Sequence, residues 1–315
     1  MARIVVTGGS GFIGSHLCDV FLARGDEVVA VDNLSTGRLQ NVTHLAEHPG
    51  FTFVRADVCE VLPVDGRVDG VLHFASPASP PEYLSVPLET LDVSSLGTRR
   101  ALDLALENDA RFLLASTSVV YGDPDVHPQS ESYNGNVDPG APRAVYDEAK
   151  RFAETLTATY RRLYELPTAI VRIFNTYGPR LRPADGRVVS NFMMQAIDGK
   201  PLTMYGTGIQ TRSFCYVADE VRGIVALFDS DVCDPVNIGN PDELTMLELV
   251  DVVREVTGSS SEVVFEPLPV GDPTRRRPDI SRARRLLGWE PTVTLRDGLA
   301  RMRDWYLEER DHGRA

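Results

Sequence analysis

Few features of the sequence tie it to a membrane, a disulfide framework or a metal. Its 315 residues include only four cysteines, none in a CxxC pair, and six histidines that form no HxH or HExxH pattern. Such cysteines are typical of buried thiols, and we expect no metal site. No run reaches the roughly 18 apolar residues of a membrane span, so we expect no membrane partner.

The sequence also lacks a net positive charge and a hydrolase motif. The formal net charge is −13, which argues against nucleic acid or an anionic membrane surface as a partner. No Gly-x-Ser-x-Gly elbow indicates a serine hydrolase. A strand is predicted almost at the initiator Met, where a signal peptide would lie, so we expect a cytoplasmic protein.

The first 175 residues alternate between strand-like and helix-like segments. Arg3–Thr7 is a predicted strand, followed by a glycine-rich turn, a helix over residues 15–24 and a second strand at Glu27–Val31. Four further apolar runs continue the pattern, at residues 51–55, 70–74, 111–116 and 168–174. Helical periodicity lies between them, at residues 91–107 and 147–164. This alternation predicts an α/β fold with a Rossmann-type doubly wound parallel sheet.

The local composition of the sequence changes near residue 176, where turn-forming residues become frequent. We therefore predict a dinucleotide-binding domain over residues 1–175 and a smaller α+β substrate domain over 176–315. Five helices are predicted in the second part, at residues 188–198, 218–229, 245–256, 280–287 and 295–309. A strand-like run at 236–239 is expected to return to the main sheet, so that parts of about 213–240 rejoin the first domain.

A glycine-rich turn between the first strand and helix predicts a pyrophosphate site. Gly8, Gly11 and Gly14 leave backbone N–H groups bare at a helix N-terminus. Asp32 ends the next strand, where its carboxylate would accept from both ribose hydroxyls and repel a 2′-phosphate. NAD is thus favoured over NADP, although Arg38 follows nearby; the alternative is a tight turn with no ligand. Neighbouring residues complete the predicted cofactor set: Phe12, Ile13, Asn33, Thr36, Gly37, Asp57, Val58, Phe74, Ala75 and Ser76.

A tyrosine and a lysine form the predicted reactive pair. Tyr146 and Lys150 are four residues apart on a predicted helix, so both side chains project from one face. A phenol is a poor base at neutral pH, but a nearby ammonium and an oxidised nicotinamide favour the phenolate. The chain has only two lysines, Lys150 and Lys200, against thirty arginines. A lysine at this place therefore indicates a need for a compact ammonium.

The strand at 111–116 ends in hydroxyl side chains. It would bring Thr117 or Ser118 beside the phenol as a hydrogen-bond partner for a substrate oxygen. An isolated YxxxK pair is common on solvated helices. The strand and the glycine turn together favour the functional interpretation.

These motifs together resemble the extended short-chain dehydrogenase/reductases that act on nucleotide sugars. The similarity is greatest to UDP-glucuronate decarboxylases, the UDP-xylose synthases. Three segments carry it: His73-Phe-Ala-Ser-Pro-Ala-Ser-Pro-Pro81, Tyr121-Gly-Asp-Pro-Asp-Val-His-Pro-Gln129 and Gly186-Arg-Val-Val-Ser-Asn-Phe192. The run Arg275-Arg-Arg-Pro-Asp-Ile280 continues the match.

The resemblance implies a closed redox cycle on a UDP-sugar. Tyr146 would take the proton of the C4 hydroxyl during oxidation by NAD, and the resulting 4-ketone would lose the C6 carboxylate as carbon dioxide. Thr117 and Tyr146 would stabilise the enolate oxygen, and Arg276 would lie at the substrate. Other family positions carried onto this chain are Pro77, Ser79, Tyr83, Asn175, Arg187, Val189, Tyr205, Gln210 and Arg212.

One position departs from the family pattern. The family has a glutamate after the two hydroxyls, whereas this chain has Val119. Valine cannot move a proton, so we hypothesise that a fraction of the product leaves as the UDP-4-keto-pentose. The same residue argues against a 4,6-dehydratase.

Two alternatives stay open from the sequence. A UDP-glucuronate or UDP-hexose 4-epimerase would use the same Tyr, Lys and NAD, and a non-catalytic NAD-binding sensor would keep only the fold. The helical patterns 91–107 and 146–164 resemble the family's paired-helix dimer surface, so we expect a homodimer. The alternative is that Leu91, Leu102, Leu104 and Leu106 face the sheet.

Overall fold

The computed structural model describes residues 1–183, 185–268 and 275–312. The first half of the chain alternates strands and helices as its apolar periodicity predicts. In chain order its elements are β1 (Arg3–Thr7), α1 (Phe12–Ala23), β2 (Glu27–Val31), β3 (Phe51–Val54), β4 (Gly70–His73), α2 (Pro80–Ser85), α3 (Pro87–Asp92), α4 (Thr98–Glu107), β5 (Arg111–Thr117), α5 (Ala144–Tyr164) and β6 (Thr168–Ile173).

The second half mixes short strands with helices. Its described elements are β7 (Thr176–Tyr177), α6 (Val188–Ile197), β8 (Leu202–Tyr205), β9 (Thr211–Ser213), β10 (Cys215–Tyr216), α7 (Val217–Phe228), β11 (Val236–Ile238), β12 (Glu243–Thr245), α8 (Met246–Thr257), β13 (Val263–Glu266), β14 (Arg275–Arg276), α9 (Ser281–Leu287) and α10 (Leu295–Asp311). No helix in the described ranges is both long and apolar enough to cross a bilayer.

A seven-stranded parallel sheet in the order β11-β6-β5-β4-β1-β2-β3 forms the centre of the molecule. The order reverses direction between β1 and β4, which confirms the predicted doubly wound fold. Late in the chain, β11 pairs in parallel with β6 and closes one edge of the sheet. The parallel strands are nearly continuous apolar runs because helices cover both faces. Their carboxyl ends all meet at one edge, where ligands bind in such sheets.

The predicted helix over residues 91–107 is helical throughout but changes its hydrogen-bonding pattern. It consists of α3, a π-helical turn at Val93–Gly97 and α4. Gly97 packs so closely on Val58 that a Cβ would lie 2.8 Å from its Cγ2. Leu102 and Leu104 are buried against the sheet, so these two leucines do not form the expected dimer surface. Leu91, in contrast, is exposed.

Candidate active site

A single cavity of about 640 Å³ runs from the glycine turn to the second half of the chain. It opens along the carboxyl ends of β1, β4, β5 and β6. The cofactor residues predicted from the sequence that line it are Gly8, Gly11, Phe12, Ile13, Gly14, Thr36, Phe74 and Ser76. The predicted catalytic and substrate residues that line it are Tyr83, Thr117, Ser118, Tyr146, Lys150, Asn175, Arg187, Val189, Tyr205, Gln210, Arg212 and Arg276.

The glycine turn is closed too tightly for any side chain. A Cβ on Gly14 would lie 2.1 Å from the carbonyl oxygen of Gly8. Gly8 itself has φ +69°, a left-handed conformation that favours glycine. Helix α1 begins at Phe12, three residues before its predicted start, and Gly11 caps it without a side chain. The first N–H groups of α1 are therefore available to an anion in the cavity.

The acidic residue at the end of β2 stands behind this turn. One carboxylate oxygen of Asp32 accepts from the backbone N–H of Ser10 at 3.1 Å, and the other accepts from Leu34 at 2.8 Å. Gly37 approaches both oxygens, because a Cβ there would lie 2.7 and 2.8 Å from them. Asp32 thus belongs to the glycine turn, although its side chain does not line the cavity.

Seven other predicted residues also lie outside the cavity lining: Asn33, Gly37, Asp57, Val58, Ala75, Pro77 and Ser79. Local turns engage several of them. Asn33 donates to Asp57 at 3.0 Å, and Asp57 accepts from the Cys59 N–H at 2.9 Å, the bond that most lowers the pKa of Asp57. Ser79 caps α2.

The reactive pair lies on α5 against the hydroxyl-tipped end of β5. The Tyr146 hydroxyl is hydrogen-bonded to Thr117, and its ring stacks on Tyr83 with centroids 5.0 Å apart. Lys150 donates from Nζ to the Ala115 carbonyl at 3.1 Å. Its Nζ lies 5.8 Å from the centroid of the Tyr146 ring. The structure therefore brings together Tyr146, Lys150 and Thr117, as the sequence predicts.

The cation that favours the Tyr146 phenolate is not the lysine that the sequence predicts. Burial raises the pKa of Tyr146 above its usual value, and the cation that most opposes this shift is Arg187 rather than Lys150. Burial also lowers the pKa of the Lys150 ammonium to about 8. Arg187 is held by the buried carboxylate of Asp185, through Nη2 at 2.9 Å and also through Nε. Arg187 is thus the guanidinium that favours the phenolate.

Two buried arginines face the cavity from the second half of the chain. Arg212 on β9 and Arg276 on β14 are register partners on neighbouring parallel strands. Both are less than one-tenth exposed. Asp147, next to Tyr146, lies close enough for Arg276 to lower its pKa, although burial raises that pKa from 3.8 to about 6. The arginine pair provides buried positive charge for an anionic ligand.

Val119 packs beside two stacked aromatic rings. It is buried with Tyr83 and Tyr146 in one small apolar cluster. No carboxyl group stands at this position to move a proton beside the phenol.

Comparison with known proteins assigns the family. The family model described as GDP-mannose 4,6 dehydratase matches residues 5–302. The chain belongs to this family. The matched range includes the glycine turn, the Tyr146 pair and both cavity arginines, so every part of the cavity described above lies within the family's fold.

Curated relatives in the family cover nearly all of the chain. It is 53% identical over 300 residues to UDP-glucuronic acid decarboxylase 1 of Arabidopsis thaliana, covering 95% of this chain and 68% of that protein. It is 49% identical over 310 residues to UDP-glucuronic acid decarboxylase 1 of Danio rerio, covering 98% of this chain and 74% of that protein.

Solved structures share the whole fold at lower identity. UDP-glucuronic acid 4-epimerase from Bacillus cereus, in complex with UDP-glucuronic acid and NAD, is 30% identical with a TM-score of 0.86, covering 97% of this chain and 99% of that one. A dTDP-glucose 4,6-dehydratase from Streptomyces venezuelae with NAD bound is 30% identical with a TM-score of 0.89, covering 98% of each chain.

Six charged residues in or near the cavity of this family member were missed by sequence reasoning. They are Glu82, Arg143, Asp147, Arg180, Arg182 and Asp185. Each is a charged residue within or beside a segment already chosen for another reason. A search for every charge within a few residues of the Tyr-Lys pair and of Gly186 would have found most of them.

Proposed function

We propose that this protein is an NAD-dependent UDP-glucuronate decarboxylase. One observation carries the proposal: the Tyr146, Thr117 and Lys150 constellation shares a single cavity with a glycine-lined helix N-terminus at one end and two buried arginines at the other. A dinucleotide and an anionic nucleotide sugar fit those two ends. The curated relatives at about 50% identity that carry this activity support the choice.

The glycine turn fits NAD on its own geometry. Side chains are excluded where Gly14 meets Gly8, so a pyrophosphate can approach the N–H groups of α1. Asp32 beside the turn would accept from ribose hydroxyls and repel a 2′-phosphate. Bound NAD would supply the oxidant that takes hydride from the sugar and returns it later in the cycle.

The chain's own residues would then handle protons and charge. Tyr146 would accept the C4 hydroxyl proton, with Thr117 holding the same oxygen and Arg187 favouring the phenolate. A ketone at C4 is β to the C6 carboxylate, so loss of carbon dioxide leaves the electron pair in an enolate. The hydroxyls of Tyr146 and Thr117 would stabilise that oxygen until C5 is reprotonated.

The second half of the chain would hold the nucleotide. Gln210 donates to the Tyr205 carbonyl at 2.7 Å, and Asn175 donates to the Ser213 carbonyl at 3.1 Å, so both side chains are already oriented. Val189 lies in the first turn of α6 on the same wall. Arg212 and Arg276 would pair with the diphosphate and the sugar carboxylate.

Val119 supports a mixed product. Without a carboxylate at this position, reprotonation and return of hydride would be slower relative to release, so a fraction would leave as UDP-4-keto-pentose with reduced nicotinamide. Val119→Glu should lower the ratio of ketone to UDP-xylose by roughly 100-fold, the lower end of what one general acid–base group contributes. NMR measures this ratio, and an unchanged ratio would contradict the role of Val119.

A homodimer through α3, the π-helical turn and α5 is part of the proposal. Leu88, Leu96, Phe152 and Leu163 are each at least half exposed on these elements. Such a set of exposed apolar side chains is typical of a protein interface. Sedimentation of the full chain would test the dimer. We also propose that the protein is cytoplasmic.

Incubation with UDP-glucuronate and NAD tests the activity directly. Carbon loss with a pentose product, seen by NMR, is the expected result. UDP-galacturonate without carbon loss would make the protein a 4-epimerase. No turnover would contradict both activities.

A further inference from the structure

A short helix and a loop from the other half of the chain meet over the sugar end of the cavity. Glu82 on α2 forms an ion pair with Arg182, which lies one hundred residues later. Both residues line the cavity. Glu82 is largely buried, whereas one-third of the Arg182 side chain is exposed. The pair therefore forms part of the cavity wall next to solvent.

Helix α2 contacts three parts of the site at once. Tyr83 stacks on Tyr146, and Glu82 reaches Arg182. Pro81 packs closely against Gly186, because a Cβ added to Gly186 would lie 2.5 Å from Pro81 Cγ. Displacement of α2 from the loop would therefore uncover the ring of Tyr146.

We propose that the Glu82–Arg182 pair is a latch that holds the keto intermediate in the cavity until reduction is complete. This inference rests on the proposed function. It identifies Glu82 and Arg182 as residues that determine the ratio of UDP-4-keto-pentose to UDP-xylose. The intermediate has lost the sugar carboxylate, so cationic side chains can no longer hold it by that group. Its retention then depends on the UDP moiety and on enclosure of the sugar.

The strength of the pair suits this role. A partly exposed ion pair stabilises a closed arrangement only modestly, so the cavity can still open for substrate and product. A buried, fully desolvated pair would be much harder to separate. The contact between Pro81 and Gly186 aligns the two elements each time the latch closes.

Two single variants and their double variant test the latch. Arg182→Met removes the cation, and Glu82→Gln removes the anion but keeps a residue suited to the third position of a capped helix. Each should raise the ratio of UDP-4-keto-pentose to UDP-xylose about two- to fivefold, the range expected for a partly exposed ion pair. The double variant should match the single variants, because they break the same interaction. Arg182→Lys should stay near wild type.

A matched control removes a similar ion pair elsewhere. Lys200 pairs with Asp198 at 2.9 Å in an exposed turn outside the cavity lining. Lys200→Met should leave the ratio unchanged. An altered ratio in this control would mean that loss of any surface charge has the effect, and would overturn the latch.

The latch and the proposed function fail in different ways. Carbon loss by the wild type tests the function, and the ratio among variants tests the latch. Unchanged ratios in Arg182→Met and Glu82→Gln, or additive effects in the double variant, would overturn it. Displacement of a fluorescent UDP-sugar gives a second readout that needs no turnover. Release should be two- to fivefold faster in both single variants, and an unchanged rate would overturn the latch.

Discussion

The two ends of the cavity are built in different ways. At the cofactor end, backbone N–H groups of a tight glycine turn face the cavity, and Asp32 supports them from behind. At the sugar end, side chains from distant parts of the chain converge on Tyr146, including Thr117, Tyr83 and Arg187. One end is local in sequence, and the other depends on the whole fold.

This difference predicts that the two ends can be disabled separately. Backbone geometry controls dinucleotide binding, so a single added methyl group should disrupt it. Side-chain chemistry controls turnover, so removal of one hydroxyl should stop it and leave both binding ends intact.

The largest effect is expected at the sugar end from Tyr146→Phe. Loss of the hydroxyl removes the proposed base and the bond to Thr117, so turnover should fall by about 10³-fold. The ring stack on Tyr83 is retained, so co-purified NAD should be unchanged. Tyr164→Phe, at the other end of α5, is the matched control and should keep wild-type activity. A Tyr146→Phe protein with near-normal turnover would remove Tyr146 as the base.

The converse change, Gly14→Ala, should affect the cofactor end. Its Cβ would lie 2.1 Å from the Gly8 carbonyl oxygen, so the turn must shift and the N–H groups of α1 lose their alignment. Loss of one or two charge-assisted hydrogen bonds predicts a 10- to 100-fold weaker affinity for NAD. Calorimetry with NAD and, separately, with UDP measures both ends.

UDP affinity should change by less than about twofold, because an added Cβ on Gly14 would meet only Gly8 and Gly9 and none of the residues proposed to hold UDP. Gly140→Ala is a suitable control, since it lies in an exposed turn where the closest atom to an added Cβ is 3.4 Å away. Equal losses of NAD and UDP affinity in Gly14→Ala would mean that the two ends are not separable.

The same contrast explains what could be predicted from the sequence. Apolar periodicity predicted the strands of the main sheet within one or two residues, and the spacing of Gly8, Gly11 and Gly14 predicted the turn. Tyr146 and Lys150 could be found because a spacing of four residues along a helix places both side chains on the same face. These signals depend on residues that are neighbours in sequence.

The features that were missed depend on residues far apart in the chain. Arg187 acts on Tyr146 across 41 residues, and Arg182 meets Glu82 across one hundred. No local pattern encodes such contacts. The helix predicted over residues 91–107 is present, but periodicity does not detect its π-helical turn, which lies where Gly97 packs tightly on Val58.

The smallest expected effect concerns the carboxyl group beside Tyr146. Burial raises the pKa of Asp147 from 3.8 to about 6, so the folded state disfavours its ionised form. The destabilisation is absent below about pH 4, grows between pH 4 and 6, and is complete above pH 6. Asp147→Asn should therefore raise the free energy of unfolding by about 1–2 kcal/mol at pH 7.5 and leave it unchanged near pH 4.

Urea unfolding at both pH values measures this difference, with Asp251→Asn on the exposed face of α8 as the control. A gain at high pH alone would mean that the sugar end keeps this buried carboxylate at a cost in stability. A loss of stability at pH 7.5 would mean instead that attraction to Arg276 outweighs burial. Asp147 would then stabilise the arginine that faces the substrate, and side-chain placement at this end would depend on paired charges.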